Sequence, residues 1–202
     1  MAYSNNVFIN CPFDDDYYPL LKPIIFTVIY CGLNPKISET KDGDNIRIRQ
    51  IQELIEISKY SIHDISRIET IPPRFNMPLE LGMDLGCKRY SKKDKKCLIL
   101  EKELYRFKEV MSDISGQDIS NHNNDPVLIV KAIRNWIYKI RSTNKKPVSF
   151  NTIWDLYNEF VSDFDKDMRA ENLDPNKMWE IPFSELIDLT ANWIKAKKKI
   201  KK

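Results

Sequence analysis

Short apolar runs alternate with longer segments of helical periodicity, and this alternation constrains the fold more than any other feature of the chain. The apolar runs predict strands at 6–10, 34–40, 60–65 and 96–100, with a short fifth strand at 118–120. The intervening segments predict helices at 18–31, 46–58, 78–87, 105–114 and 126–141. Strands that alternate with helices form a parallel sheet covered by helices on both faces, so we expect an α/β fold of this kind.

A polar segment at 142–147, with the sequence STNKKP, separates this pattern from a second one that is helical throughout. Apolar residues recur at helical spacing over 153–168, and a last helix is predicted at 182–197. We therefore divide the chain into an α/β domain at 1–141 and a C-terminal helical extension with a basic tail at 142–202. The apolar stripe of the extension needs a cover, which is either the sheet domain or a second copy of the chain.

Charge and cysteine content argue against several classes of protein. The net charge is only +3, and much of the surplus lies in 92–96 and in the tail 195–202, so a general nucleic-acid surface is not expected. The four cysteines form no C-x-x-C pair and there are only two histidines, so we expect no metal site. We expect no secretion signal at the start of the chain, and the longest apolar run, 23–33, is about half of a membrane span. We expect a soluble, cytoplasmic protein with reduced thiols and no membrane partner.

Polar and aromatic residues cluster in the loops that follow the predicted strands. In parallel α/β sheets, ligands bind beyond the carboxyl ends of the strands, near the point where the strand order reverses. We take the loop residues expected there as candidate substrate-binding residues: Cys11, Pro12, Phe13 and Asp14 after the first strand, and Ser66, Arg67, Arg74, Asn76 and Met77 after the third. Asp64, at the end of the third strand, is a candidate catalytic residue.

Glu80 is the strongest candidate for a reacting group. It follows Pro78 by two residues, in what we predict to be the first turn of a helix, where the helix dipole favours an anionic carboxylate. A carboxylate at the rim of a pocket can stabilise a sugar oxocarbenium ion or attack an anomeric carbon. Spacing alone leaves open the simpler explanation that Glu80 only compensates the helix dipole.

Three segments, FINCPFDDDY, SIHDIS and NMPLELGMDLG, resemble the superfamily that joins nucleoside 2-deoxyribosyltransferases with Toll/interleukin-receptor-like (TIR) domains. The resemblance implies a flavodoxin-like fold, a base-holding loop after the first strand, and a catalytic glutamate in an E-L-G pattern, here Glu80-Leu81-Gly82. One departure is that Asn76-Met77-Pro78 replaces the Gly-Thr pair usual before the glutamate in the transferases. The chain also resembles prokaryotic TIR-like proteins, which are linked to phage defence and to cleavage of NAD. Because many members of the superfamily act only when assembled, the resemblance implies a homo-oligomer.

Several candidate residues have structural alternatives. Phe13 could stack on a base or could cover the core. Asp64 could hold ribose hydroxyls and orient Glu80, or could cap the following turn. Arg67 and Arg74 could bind phosphates by bidentate hydrogen bonds, or could form a solvated pair or an ion pair with Glu69.

We therefore expect a hydrolase that cleaves the N-glycosidic bond of a nucleotide, with NAD as the first substrate and with no metal or separate cofactor. Glu80 would stabilise the developing ribosyl cation, while Asp64 and Ser66 would position the ribose. Three alternatives remain open: a non-catalytic TIR-like module that binds a nucleotide or a protein, a nucleoside deoxyribosyltransferase, and a phospho-receiver domain. In the receiver, Asp14, Asp15 and Asp64 would bind Mg²⁺.

Overall fold

Five parallel strands form a single sheet in the computed structural model, which describes residues 3–38, 47–67, 74–141, 148–171, 174 and 181–200. The strands are β1 Asn6–Asn10, β2 Asn34–Lys36, β3 Tyr60–Asp64, β4 Lys96–Glu101 and β5 Asp118–Asn121. Their spatial order is β2-β1-β3-β4-β5, which is the flavodoxin-like order. The α/β class and the parallel sheet expected from the sequence are therefore confirmed.

Seven helices surround this sheet in the described part of the chain. They are α1 Tyr18–Tyr30, α2 Arg47–Glu56, α3 Asn76–Tyr90, α4 Phe107–Val110, α5 Pro126–Arg141, α6 Phe150–Ala170 and α7 Phe183–Ile200. None of these helices has the combination of length and apolar character needed to cross a bilayer.

Apolar side chains alternate between the two faces of the central strands, and this alternation places the helices. Val7 and Ile9 of β1 point into the large core that contains α1 and α5, whereas Phe8 between them packs against Ile51 and Ile55 of α2 on the opposite face. Both central strands, β1 and β3, are buried along their whole length, as strands covered on both faces must be. The edge strand β5 is only partly covered.

The helical extension packs on the same face as α1 and α5 and continues their core. Phe26 of α1 contacts Tyr157 and Phe160 of α6 and Trp193 of α7, with ring centroids 5.6–6.0 Å apart. The apolar stripe of α6 is thus covered by the sheet domain of its own chain. The predicted hinge at 142–147 lies outside the described residues, so the domain boundary stays a prediction.

Three predicted elements differ from the structure. β2 ends at Lys36, and the last two residues of its predicted range lie outside the described residues. The single helix predicted at 105–114 is instead the short α4 followed by a 3-10 turn at Ser112–Ile114, because Tyr105 and Met111 lack helical backbone angles. Helix α3 begins at Asn76 rather than at Pro78, because a proline is tolerated throughout a first turn, where no backbone N–H is needed.

Candidate active site

The strand order reverses between β1 and β3, and this switch point defines where a ligand site is expected. From β1 the chain crosses to β2 on one side, and from β2 it returns past β1 to β3 on the other. The loops after β1 and β3 therefore diverge at the carboxyl ends of these strands and leave a crevice between them. The sequence candidates lie in these two loops and in the first turns of α3.

Glu80 is held at this switch point by its helix. The Asn10 side-chain amide, at the end of β1, donates a 2.9 Å hydrogen bond to the Met77 carbonyl in the first turn of α3. Leu81, next to Glu80, is fully buried against the sheet. Glu80 is only 8% exposed, and its carboxylate has no hydrogen-bond or ion-pair partner among the residues that the structure describes. A buried carboxylate without a partner is unusual, because its desolvation is not offset.

Burial raises the pKa of Glu80 from 4.5 to about 7, against the opposing positive charge of Arg47 at the start of α2. This corrects the first-turn prediction: Glu80 lies in the second turn of α3, and desolvation rather than the helix dipole governs its charge. The carboxyl group is thus poised to exchange a proton near neutral pH. Perturbed carboxylates of this kind are concentrated at functional sites.

The buried thiol of Cys11 shows that the loop after β1 lies near Glu80. Burial raises the pKa of Cys11 well above 9.0, and the negative charges of Asp64, Glu80 and Asp14 raise it further. Three carboxylates thus act on one thiol at the end of β1. Cys11 is held as a neutral thiol, so it contributes shape rather than nucleophilicity to the site.

Asp64 is buried at the end of β3, with 0% of its surface exposed. Its Oδ1 accepts a 2.8 Å hydrogen bond from the Ser66 backbone N–H, which is the turn cap considered for this residue. Its Oδ2 accepts a hydrogen bond from the Tyr17 hydroxyl and lies 3.0 Å from Nε2 of His122. A direct bond to a ribose hydroxyl would require this arrangement to open. Asp64 as it stands positions Tyr17, Ser66 and His122.

His122 is the member of this group that sequence reasoning missed. Its Nδ1 accepts a 3.1 Å hydrogen bond from the Asn124 backbone, so the proton of the neutral ring lies on Nε2. Nε2 lies 3.0 Å from both Asp64 Oδ2 and Ser66 Oγ. In a nucleophilic triad the acid and the serine contact different ring nitrogens, and here they share one. The group is therefore a structural network rather than a serine-hydrolase triad.

Asp14 joins the two diverging loops through the two candidate phosphate ligands. Its Oδ1 accepts a 3.0 Å bond from Arg67, and its Oδ2 accepts a 2.8 Å bond from Arg74. A phosphate that bound these arginines would have to displace or share them with Asp14. The two arginines are therefore more than a solvated pair, because Asp14 binds both of them and links the loop after β1 to the loop after β3.

The remaining candidates lie around the end of β1 and the start of α3. Phe13 packs against Phe183 at the start of α7, with ring centroids 5.5 Å apart, so it is covered by the extension in this arrangement. Cys11, Pro12 and Met77 are buried, Ser66 is half-buried, and Asn76 is exposed. A substrate could therefore contact Cys11, Pro12 and Met77 only through their backbone atoms, or after small movements of these residues.

A cleft of about 480 Å³ lies at the same edge of the sheet but is not centred on Glu80. Among the sequence candidates only Ser66 and Arg67 line it, whereas Glu80, Phe13, Asp64 and Arg74 do not. Glu80, Phe13, Asp64 and Arg74 therefore do not share this cleft. Glu80, a buried carboxylate without a partner among the described residues, indicates a reacting group more specifically than the cleft does.

A second buried charged cluster lies under α3, and its charges are paired within the chain. Asp84 contacts Lys95 at 3.1 Å and His63 at 3.1 Å, and it accepts a hydrogen bond from Ser61. Burial alone would raise the pKa of Asp84, but the hydrogen bonds and charges of His63, Lys95 and Ser61 lower it to about 2.

This cluster also contains the one group in the described residues with the spacing of a metal site, namely His63, Asp84 and Cys97, whose ligand atoms lie within 4.8 Å of one another. However, His63 Nδ1 accepts from the Asn10 amide at 2.9 Å, and Lys95 already neutralises Asp84. Burial and the charge of Asp84 raise the pKa of the Cys97 thiol to about 12. The donor set therefore fits an internal ion pair better than a bound cation.

Comparison of the chain with protein-family models, with curated proteins and with solved structures finds no match. The fold and the site define an α/β protein of flavodoxin-like topology, with a buried carboxylate at its switch point that has no partner in the described part of the chain.

Proposed function

We propose that this chain cleaves the N-glycosidic bond of a nucleotide, with NAD as the favoured substrate and Glu80 as the reacting carboxylate. The observation that supports this proposal is the state of Glu80: it is buried, has no partner among the described residues, and has a pKa raised to about 7. Such a group destabilises the folded protein, and sites of this kind are retained where charge develops during a reaction.

In the proposed reaction the bond between C1′ of the ribose and the ring nitrogen breaks. Nicotinamide leaves as a neutral molecule with the bonding electrons, and positive charge develops on C1′ and the ring oxygen. The oxygen of a water molecule then bonds to C1′, and one proton is released, which gives ADP-ribose. Ionised Glu80 would stabilise the cation through space or by transient attack on C1′.

The substrate itself favours the active form of Glu80. The nicotinamide ring of NAD is cationic, and an opposite charge nearby lowers the pKa of a carboxylic acid. Binding would thus promote ionisation of Glu80 in the complex. In this proposal Asp64 acts through the groups that it holds, because it is buried and bonded at both oxygens.

A cytoplasmic location and a role in anti-phage defence belong to the same proposal. All four cysteines are free, which suits a reducing compartment. The defence role rests on the sequence resemblance to TIR-like proteins, and the reaction does not depend on it.

A non-catalytic TIR-like module, which binds a nucleotide or a protein without turnover, is the second candidate, because the groups expected to position a substrate are already engaged within the chain. Phe13 is covered by Phe183, and Arg67 and Arg74 are bridged by Asp14, so the loops are closed over the switch point in this arrangement. A phospho-receiver has less support, because Asp14 is neutralised by two arginines and buried Asp64 is not available to Mg²⁺.

The test is to incubate the purified protein with NAD and with a panel of nucleosides, and to separate the products by chromatography. We expect nicotinamide and ADP-ribose in equal amounts from NAD. Because the ionised form of Glu80 is the active one, kcat/KM should rise with pH through about 7 and level off above it. Absence of products from every nucleotide, even at protein concentrations that allow assembly, would favour the binding module instead.

A further inference from the structure

Helix α3 carries Glu80 on its buried side, and polar groups of the sheet hold this side at two points. The buried residues of α3 are Met77, Glu80, Leu81 and Asp84. They recur at intervals of three and four residues, or multiples of these, so they lie along one side of the helix. Met77 precedes Glu80 by about one turn, and Asp84 follows it by about one turn. Contacts at Met77 and Asp84 therefore determine where the Glu80 carboxylate lies.

Asn10 holds the first of these two points. It is the buried last residue of β1, and it pairs in register with His63 of β3 across the switch point. Its Nδ2 donates 2.9 Å hydrogen bonds to the Met77 carbonyl and to Nδ1 of His63. Because a carbonyl can only accept, the atom of Asn10 that faces Met77 is the amide nitrogen. The amide thus presents its two N–H groups to these two partners.

His63 connects Asn10 to the second point. Its Nδ1 accepts from the Asn10 amide, so Nδ1 carries no proton and the proton of the ring lies on Nε2. Nε2 donates a 3.1 Å hydrogen bond to Oδ2 of Asp84. The ring is fully buried and packs edge-on against Phe8, with ring centroids 5.7 Å apart. One imidazole therefore joins the parts of α3 that lie on either side of Glu80.

The far end of this connection is anchored by charge. Asp84 contacts Lys95 at 3.1 Å, and its pKa is lowered to about 2, so it is ionised at neutral pH. A hydrogen bond to an ionised acceptor is stronger than one between neutral groups, which favours the contact between His63 and Asp84. Glu80 has no partner of its own among the described residues. Its position therefore depends on the helix that carries it.

We propose that Asn10 is a positioning residue for Glu80, with His63 as its support, and that this pair holds the carboxylate in place at the switch point. The role in catalysis rests on the proposed function, whereas the role in placing Glu80 does not. Without the amide of Asn10, the first turn of α3 loses this bond to β1 and water gains access to Glu80. An asparagine that served only the stability of the fold would leave the hydration of Glu80 unchanged.

The pKa of Glu80 reports this hydration, because Asn10 carries no charge. The titratable groups that surround the buried side of α3 are Arg47 of α2, Cys11 after β1, His63 and Asp64 of β3, and Asp84 of α3 itself. Arg47 lowers the pKa of Glu80, and burial raises it further than Arg47 lowers it. Replacement of Asn10 removes none of these groups. A lower pKa of Glu80 in such a variant would therefore indicate that the carboxyl group has become better hydrated.

The experiment is an NMR titration of the Glu80 carboxyl carbon in the full chain, for the parent and for Asn10→Ala. Glu80→Gln lacks this carboxyl group and so assigns its signal. We expect the pKa of about 7 in the parent to fall to about 6 or lower in Asn10→Ala, because water reduces the desolvation that raises it. An unchanged pKa in folded Asn10→Ala would overturn the inference.

Asn6 provides a matched control at the opposite end of the same strand. It is buried, and its Nδ2 donates a 2.9 Å hydrogen bond to the Ile57 carbonyl, about 13 Å along β1 from Asn10. Both Asn6→Ala and Asn10→Ala should melt below the parent, but only Asn10→Ala should lower the pKa of Glu80. An equal fall in both variants would show that the pKa follows general loosening of the fold, which would overturn the role of Asn10.

Two further variants keep the inference testable. If Asn10→Ala does not fold, Asn10→Ser replaces it, with Asn6→Ser as its control. The serine hydroxyl is too short to bond Met77 and His63 together, so the pKa of Glu80 should again fall, and an unchanged pKa would overturn the inference. His63→Phe removes both ring nitrogens but keeps a flat ring. It should lower the pKa of Glu80 as Asn10→Ala does, and an unchanged pKa would exclude His63 as the support.

Cleavage of NAD separates this inference from the proposed function. If the parent is active, Asn10→Ala should lower kcat about tenfold or more and change KM less than about threefold, because a displacement of about 1 Å can cost about 100-fold in rate. The inflection of the pH profile should move to lower pH with the pKa of Glu80. Unchanged kcat and an unchanged pH profile would overturn the inference and leave the proposed function intact. If the parent cleaves no nucleotide, the proposed function fails, and the titration still decides whether Asn10 places Glu80.

Discussion

Replacing Glu80 with Gln should make the protein more stable at neutral and alkaline pH, although it removes the proposed reacting group. Gln keeps the size of the side chain and removes its charge. The carboxylate of the parent is desolvated and has no partner among the described residues, so ionisation costs more in the folded protein than in the unfolded chain. The variant does not ionise at this position and avoids that cost.

The size and sign of this effect follow from the pKa of Glu80, which is 4.5 in the unfolded reference and about 7 in the folded protein. Below pH 4.5 the group is neutral in both states, so the parent and the variant differ little. Between pH 4.5 and about 7 the unfolded chain releases its proton first, and the parent loses stability as pH rises. At about 1.4 kcal/mol for each tenfold change in an equilibrium constant, the loss above pH 7 is at most roughly 3 kcal/mol. The buried amide of Gln is also desolvated, so we expect a net gain of about 1–3 kcal/mol.

The assay is urea unfolding of the parent and the variant from pH 4 to pH 8.5, supported by thermal melting. For a chain of this size, a gain of 1–3 kcal/mol corresponds to a rise in Tm of roughly 3–10 °C. Glu53→Gln is the control, because Glu53 is exposed on α2 and its replacement should change stability by less than about 0.5 kcal/mol. A Glu80→Gln variant that is no more stable than the parent at pH 8, or whose advantage does not grow with pH, would refute the argument from burial.

Three other predictions concern the core and the extension. Lys95→Met should lower the free energy of unfolding by about 3–5 kcal/mol in urea titration, because it leaves Asp84 charged and buried without its ammonium partner. An unchanged free energy of unfolding would mean that Lys95 and Asp84 do not form an ion pair in solution. The pKa of Asp84 is lowered from 3.8 to about 2, so the stability that its carboxylate contributes is present above pH 3.8 and is lost as pH falls towards 2. Acid unfolding of Asp84→Asn should lack this part of the decline in stability. An acid-unfolding profile equal to that of the parent would contradict the lowered pKa. Phe183→Ala should lower the free energy of unfolding by about 1–3 kcal/mol, because it removes the ring contacts with Phe13 and Tyr18. The control, Phe75→Ala, changes an exposed side chain and should cost less than about 0.5 kcal/mol. Similar losses in the two variants would mean that α7 does not pack against the loop after β1.

The elements that could be predicted from the sequence are those with strong local patterns. β1 at Asn6–Asn10 and α5 at Pro126–Arg141 match their predicted ranges, because an apolar run bounded by polar turn residues and a long amphipathic stripe are local signals. The start of α3 was misplaced because Pro78 marks a first turn without fixing which residue of the turn it occupies. The segment at 105–114 has a helical pattern, but the left-handed backbone at Tyr105 delays the start of α4 to Phe107.

The site could be predicted only in part, because its residues are joined by contacts between distant segments. The position of Glu80 after the third strand followed from the local pattern, but its burial and lack of a partner depend on how α3 packs against β1. His122 approaches Ser66 across 56 residues of sequence, and no local pattern announces that contact. Lys95 lies in a run of charged residues that holds much of the surplus positive charge, yet it is 1% exposed and donates to the Ile55 carbonyl at 2.6 Å. Burial of a lysine is decided by tertiary partners, which sequence periodicity does not encode.

The central claim, that Glu80 is the reacting group of an N-glycosidase, is tested most directly by the rate of NAD cleavage. The rate should be measured at pH 8 for the parent, Glu80→Gln and Glu53→Gln, after melting has shown that all three are folded. The account predicts that Glu80→Gln lowers kcat at least about 100-fold while Glu53→Gln cleaves like the parent, because only Glu80 faces the charge that develops in the transition state. Equal cleavage of NAD by the parent and by Glu80→Gln would contradict it.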